Sequence, residues 1–314
     1  MNMAIRLQAL RKSFGPKQAV RGIDLEVPSG ALYGIIGPNG AGKSTTLRMI
    51  LSILFPDAGR IEVLGHTSAL AAKDRIGYLP EERGLYRKMP VAGFLRHMAL
   101  LKGVPRPECA QRIETWLQRV GLADVARRKC EELSKGMQQK VQFIAAVIHE
   151  PELLILDEPF SGLDPVNMRL LRDLILEQHR RGTTVLFSTH VMHQAEQLCE
   201  HIVMIHDGSK VLDDPLHVLR ARHAPRSLLV EPLAARDGDV QALCALPGVI
   251  AVSRQAARLQ VDFSEHTDPV ALLPQVAACV PPAKLELLRP TLEDIFIGIA
   301  GQPVAAPQDS GVAA

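Results

Sequence analysis

Apolar and polar positions alternate through the first thirty residues, where AIRLQAL and GIDLEV read as short strands broken by PSG. LYGIIG follows as an apolar strand running straight into a glycine loop. Residues 44–54, STTLRMILSIL, then take helical spacing, stopped by Pro56. GRIEVLG returns to strand. From Pro80 to about Ala126 the pattern is mostly helical, and PECAQRIETWLQRVGL places proline at a helix entry. Next come a helical segment over 131–149, a buried strand LLILD, a helix PVNMRLLRDLILEQHRRG and a strand TVLFST. A helix from about residue 191 leads into HIVMIHDG. Apolar strands alternating with helices predict an α/β fold with a mostly parallel sheet and an antiparallel portion at the N-terminus.

Near RARHAPRS, residues 220–227, the texture changes. Beyond it, SLLVEP, VIAVSRQAARLQVDF and LELLRP read as strands around short helices, a small α+β domain. Thr291 and Asp294 stand at capping-box spacing ahead of the last helix. The final stretch, GQPVAAPQDSGVAA, reads as a loose tail. The expected division is residues 1–222, a small domain over 223–300 and a tail over 301–314.

Composition narrows the class. With 47% hydrophobic residues in 314, the chain can bury a sizeable core. A net charge of +2, from 36 basic and 34 acidic side chains, argues against a dedicated nucleic-acid binder. Cys109, Cys130, Cys199, Cys244 and Cys279 are scattered, which suits a reduced compartment and suggests neither a zinc site nor a disulfide frame. The N-terminus lacks the pattern of a signal peptide. No apolar run approaches the ~20 residues that span a bilayer.

The chemistry concentrates in a few stretches. Gly37-Pro38-Asn39-Gly40-Ala41-Gly42-Lys43-Ser44-Thr45 matches G-x-x-x-x-G-K-[ST], between an apolar strand and a helix. Glycines let backbone amides face phosphate oxygens, Lys43 reaches the β- and γ-phosphates, and the Ser44 hydroxyl ligates Mg²⁺. LLILDEP delivers Asp157 at the tip of a buried strand, suited to orienting magnesium, and Glu158 one residue on, suited to polarising water. Ser134, Lys135 and Gly136 open a second helix with the groups a phosphate seeks. His190 ends another strand; it is either a structural histidine or a γ-phosphate donor.

The phosphate loop, LSKGMQQK, LLILDEP, SGLDP and STH, in that order, resemble the ATP-binding subunit of an ABC transporter over about residues 4–222. YLPEERGLY and the C-terminal PTLEDIF resemble the NatA-like exporter branch, whose ATPase is separate from its membrane subunit. The resemblance implies ATP hydrolysis with Mg²⁺ and a membrane-spanning permease partner. It also implies a peripheral position on the cytoplasmic face of the membrane. Two cassettes would pair head to tail, so that Ser134 and Gly136 hold the γ-phosphate of ATP bound to Lys43 and Ser44 of the partner subunit. It further implies Glu158 as general base, His190 as γ-phosphate contact and Asp164 at the subunit junction. Phe14 would stack on adenine, unless it is ordinary core.

Two departures stand out. Glu81 occupies the place where the family has a metal-contacting glutamine; it either binds Mg²⁺ more tightly or folds away as a solvated acid. The signature reads LSKGM in place of LSGGQ. In ERGLYRKMPVAGFLRHMALL, Leu85, Tyr86 and Met89 either dock a membrane-subunit helix or cover their own core. The alternative function is a soluble ATPase of the same kind acting on ribosomes or nucleic acid.

Overall fold

The computed structural model describes residues 2–82, 84–222, 225–264 and 266–300, so the expected tail lies outside the described residues. The chain divides into two compact units, Met1–Leu216 and His217–Ala314.

The first unit opens with β1 (Met3–Phe14), β2 (Lys17–Pro28) and β3 (Leu32–Ile36). Helix α1 (Lys43–Ile50), β4 (Ala58–Val63), β5 (Ile76–Leu79), α2 (Val91–Leu101) and α3 (Arg106–Arg119) follow. Then come α4 (Lys135–Val147), β6 (Leu153–Asp157), α5 (Pro165–Arg180), β7 (Thr184–Thr189), α6 (Met192–Leu198), β8 (His201–His206) and β9 (Ser209–Pro215). A six-stranded sheet runs β5-β6-β7-β3-β8-β9, parallel except for β9. Strands β3, β6 and β7 are buried at every residue, as strands covered on both faces must be. A separate antiparallel sheet, β2-β1-β4, shares its core with that sheet: Ile5, Leu7, Ile23 and Leu25 pack with Ile35, Ile155 and Val203.

Helix α7 (Leu216–Arg222) starts at the last residue of the first unit, and the second unit holds the rest of it with β10 (Ser227–Pro232), α8 (Asp239–Cys244), β11 (Val249–Gln255), β12 (Arg258–Phe263), α9 (Pro269–Cys279), β13 (Pro282–Leu288) and α10 (Leu292–Ala300). Its antiparallel sheet runs β11-β12-β10-β13, the split β-α-β arrangement. Leu228, Val230, Val261 and Phe263 pack from the sheet against Leu243, Leu272 and Val276 of the helices. The expected capping box is present: Asp294 N donates to Thr291 Oγ1 at 3.1 Å and Thr291 N to Asp294 Oδ2 at 2.8 Å.

One expectation is corrected, and for Leu85 one of two open readings is selected. The helix read to Leu54 ends at Ile50, because Ser52 turns left-handed (φ 55°) and its hydroxyl accepts from Ala69 N at 3.1 Å. Leu85 is buried, so it is not available to dock a partner; Tyr86 is 51% exposed and packs edge-on against Phe94.

Near the base of β5, His149 Nε2 lies 3.2 Å from the Ile76 carbonyl, which also accepts from Lys102 Nζ at 2.8 Å. Burial, seconded by the Lys102 charge, pushes the His149 imidazole down to about 4. Unfolded, the ring takes its proton near 6.5, so acidification through this window favours the unfolded chain. Between pH 7 and pH 5 this group should remove about 2 kcal/mol of stability. Urea unfolding of the native chain and His149→Gln at both pH values checks this; an equal decline in the two would refute it.

Candidate functional site

The parallel strands deliver their C-terminal ends to one edge of the sheet, and the catalytic candidates gather there. Residues 37–42 leave β3 and bend back into α1. Gly37 (φ 151°) and Gly42 (φ 107°) cannot carry a side chain: a Cβ would stand 2.1 Å from the Ile205 carbonyl oxygen and 2.4 Å from that of Ala19. The loop is thus wedged between β8 and β2, while Gly40 at its tip faces open space.

Lys43, at the first turn of α1, folds its ammonium back onto the loop and donates to the Gly37 and Pro38 carbonyls at 2.8 and 3.1 Å. Burial lowers its pKa, against the pull of Glu158, Asp157 and Glu81. A cation held by carbonyls alone, in a partly desolvated loop, is well disposed to receive an anion.

Asp157 and Glu158 are both buried, 1% and 6% exposed, and are held by different hydroxyls of β7. Asp157 lies in register with Ser188, whose hydroxyl donates to Asp157 Oδ1; Ser44 Oγ donates to the same oxygen at 3.2 Å. A hydroxyl and a carboxylate are the hard oxygen donors magnesium accepts, so this pair fits the metal. Glu158 lies past the strand end in a left-handed conformation (φ 48°). Its Oε2 accepts from Thr189 Oγ1 at 3.0 Å; its Oε1 accepts from His190 N at 2.8 Å and lies 2.7 Å from His190 Nδ1. The strand's alternation has ended, and backbone conformation together with β7 separates the two carboxylates.

Two further groups flank this edge. Glu81, just past β5, is exposed and within electrostatic reach of Lys43. Beside it, burial and then the Asp157 charge push the Tyr78 hydroxyl up to about 12. Phe14 is 51% exposed at the end of β1, with Lys12 Nζ 5.7 Å from its ring centroid; it is not core.

A second cluster forms where α4 begins. Ser134 caps that helix, its Oγ accepting from Met137 N at 3.3 Å, and both Ser134 and Lys135 are exposed. A Cβ on Gly136 would lie 3.6 Å from both Asn167 Nδ2 and Leu163 Cδ2. Asn167 in turn bonds Asp164 through its main-chain amide, at 2.9 Å, and through its side chain, and these bonds hold the Asp164 carboxyl below its ordinary range. Ser134, Gly136 and Asp164 therefore share one surface region. Ser188 and Thr189, both within the STH stretch, hold the two acids, and only the pairing of β7 with β6 reveals this.

The model for "ABC transporter" matches residues 20–161, and that for "ATP-binding protein DrrA1-3-like, C-terminal domain" matches residues 215–300. An uncharacterized ABC transporter ATP-binding protein, YhaQ of Bacillus subtilis (strain 168), is 39% identical over 95% of this chain and 98% of its own length. The Nod factor export ATP-binding protein I of Rhizobium sp. (strain N33) is 34% identical over 96% and 98%. Among solved structures, the ATP-binding subunit of an ABC transporter superposes with a TM-score of 0.65 at 30% identity, covering 70% of this chain and 92% of that one.

Proposed function

The chain belongs to the family of ABC transporter ATP-binding proteins, and from that premise we propose how its residues bind and split ATP and what the work drives. It is an ATP-hydrolysing transporter subunit. The observation that carries the residue assignments is the convergence of Lys43, Ser44, Asp157, Glu158 and His190 on one sheet edge.

The main-chain N–H groups of the loop from Asn39 to Thr45 and the Lys43 ammonium hold the phosphates, with Phe14 available to stack on the adenine. Ser44 and Asp157 would hold Mg²⁺, and Glu81, whose charge reaches Lys43, would be a further oxygen donor to it. When bound, the metal neutralises charge on the β- and γ-phosphate oxygens. Glu158 takes a proton from the attacking water as its oxygen bonds to the γ-phosphorus and ADP departs. His190, fixed by Glu158 through Nδ1, leaves Nε2 to contact the γ-phosphate.

The second cluster, Ser134 with Gly136 and Asp164, serves a different nucleotide: the one bound to a second copy of the chain. ATP then lies across the seam between two subunits, and its hydrolysis opens them. No helix among the described residues is long and apolar enough to cross a membrane. The path for cargo belongs to a separate permease, a reading supported by the likeness to ABC transporter and export ATP-binding proteins. The likeness to a Nod factor export ATP-binding protein supports export; the subunit then sits at the membrane through its permease, on the cytoplasmic face, where ATP is supplied. The alternative of an ATPase acting on ribosomes or nucleic acid finds no support in these likenesses.

Glu158→Gln should lower turnover at least 100-fold while leaving ATP affinity intact, and light scattering should detect an ATP-dependent dimer. Full turnover in this variant would remove Glu158 as base, and a monomer at saturating ATP would remove the shared site. Cross-linking in native membranes should capture a polytopic membrane protein. Capture of none would refute the permease.

A further inference from the structure

Helix α4 begins at the cluster assigned to the second nucleotide, and its interior reaches the other site. Gln139 is 1% exposed, and its Nε2 donates to the Pro159 carbonyl at 2.8 Å. Pro159 directly follows Glu158, whose left-handed backbone is uncommon for a residue with a side chain and more so before proline. Such a conformation persists only where its surroundings over-determine it. Strand β7 supplies part of that: Glu158 N donates to Ser188 O at 3.0 Å, and Thr189 and His190 hold the carboxylate. The turn is also closed locally, by Ser161 N donating to Glu158 O at 3.1 Å. The Gln139 bond comes from elsewhere, from the helix that Ser134 caps.

The same helix makes a second long reach. Gln142, three residues on and therefore on the same face, donates from Nε2 to the Glu82 carbonyl at 3.1 Å. One helix thus grips the main chain beside Glu158 and the main chain beside Glu81, while its first turn carries Ser134 and Gly136.

We infer that Gln139 is a positioning residue for Glu158. Through the Pro159 carbonyl it fixes the turn that aims the carboxylate, and it ties that turn to the helix whose start meets the second nucleotide. The inference rests on the reading of Glu158 as general base and, for the link to a second nucleotide, on the paired arrangement proposed above. Without the amide, a buried carbonyl loses its partner and the strained turn has one tether fewer. The carboxylate then drifts from the water it must deprotonate, whereas the phosphate loop and Lys43, built from other elements, stay in place.

Gln139→Met keeps the bulk and removes the donor. It should lower kcat roughly 10- to 100-fold while KM and ATP affinity stay within about twofold of the parent. Placed on Glu158→Gln, the same change should alter the residual single-turnover rate less than about twofold, because both substitutions act through one carboxylate. In Gln139→Glu, a protonated carboxyl can donate as the amide did, so kcat relative to the parent should rise as pH falls through its titration. An unchanged kcat in Gln139→Met overturns the inference, as does a loss that multiplies in the double variant or a pH-independent ratio in Gln139→Glu. If Glu158→Gln itself turns over fully, the reading of the base fails instead. A fully active Gln139→Met beside an inactive Glu158→Gln refutes the positioning role alone.

Discussion

The registration of β6 against β7 is the constraint on which the site depends. Five paired positions run from Leu153 opposite Thr184 to Asp157 opposite Ser188, and every side chain along both strands is buried. A slip of one residue would exchange the side chains between the two buried faces, breaking the packing on both, and set Asp157 beside a different neighbour. The pairing that stabilises the core therefore also fixes the acids. Ser188 reaches Asp157, and Thr189, one residue on, reaches Glu158. Two adjacent carboxylates acquire different partners because adjacent residues of β7 hold them apart, and the two tasks proposed for them rest on that separation.

The neighbouring strands complete the arrangement by the same logic. Strand β3 pairs with β7 on the side away from β6, so the phosphate loop rises beside the acids. Close approach by the Ile205 and Ala19 carbonyls admits only glycine at 37 and 42, and this sets the loop's path. Lys43 then lies where Glu158, Asp157 and Glu81 act on it together. An incoming triphosphate meets a cation already surrounded by the groups that would hold its metal and its attacking water.

Much of this was legible in the sequence because it is local. The phosphate loop, the two acids after LLIL and the histidine after TVLFST are contiguous motifs whose flanking apolar runs reveal their place at strand ends. The capping box at Thr291 was equally local and is present. What stayed hidden depends on distant partners. The roles of Ser188 and Thr189 follow from the register of another strand, and the reach of Gln139 spans 20 residues. The early end of α1 follows from Ser52 bonding Ala69, and Leu85 turns inward within a stretch whose composition fits either surface or core. The hairpin of β11 and β12 turns on Ala256 at φ 53°, without the glycine or asparagine that would have marked it. Glu81 is exposed yet electrically coupled to Lys43, so both open readings of that residue retain a physical basis.

The division of labour between the two acids is the central claim, and a paired substitution tests it most directly. The Mg²⁺ dependence of ATP turnover should be measured for Ser188→Ala and Thr189→Val. If Ser188 orients the metal's carboxylate, Ser188→Ala raises the Mg²⁺ needed for half-maximal rate by about tenfold and restores most of kcat at saturation. If Thr189 orients the base, Thr189→Val lowers kcat about tenfold or more and leaves the Mg²⁺ requirement unchanged. Both variants moving the same parameter, or neither moving any, would contradict the account.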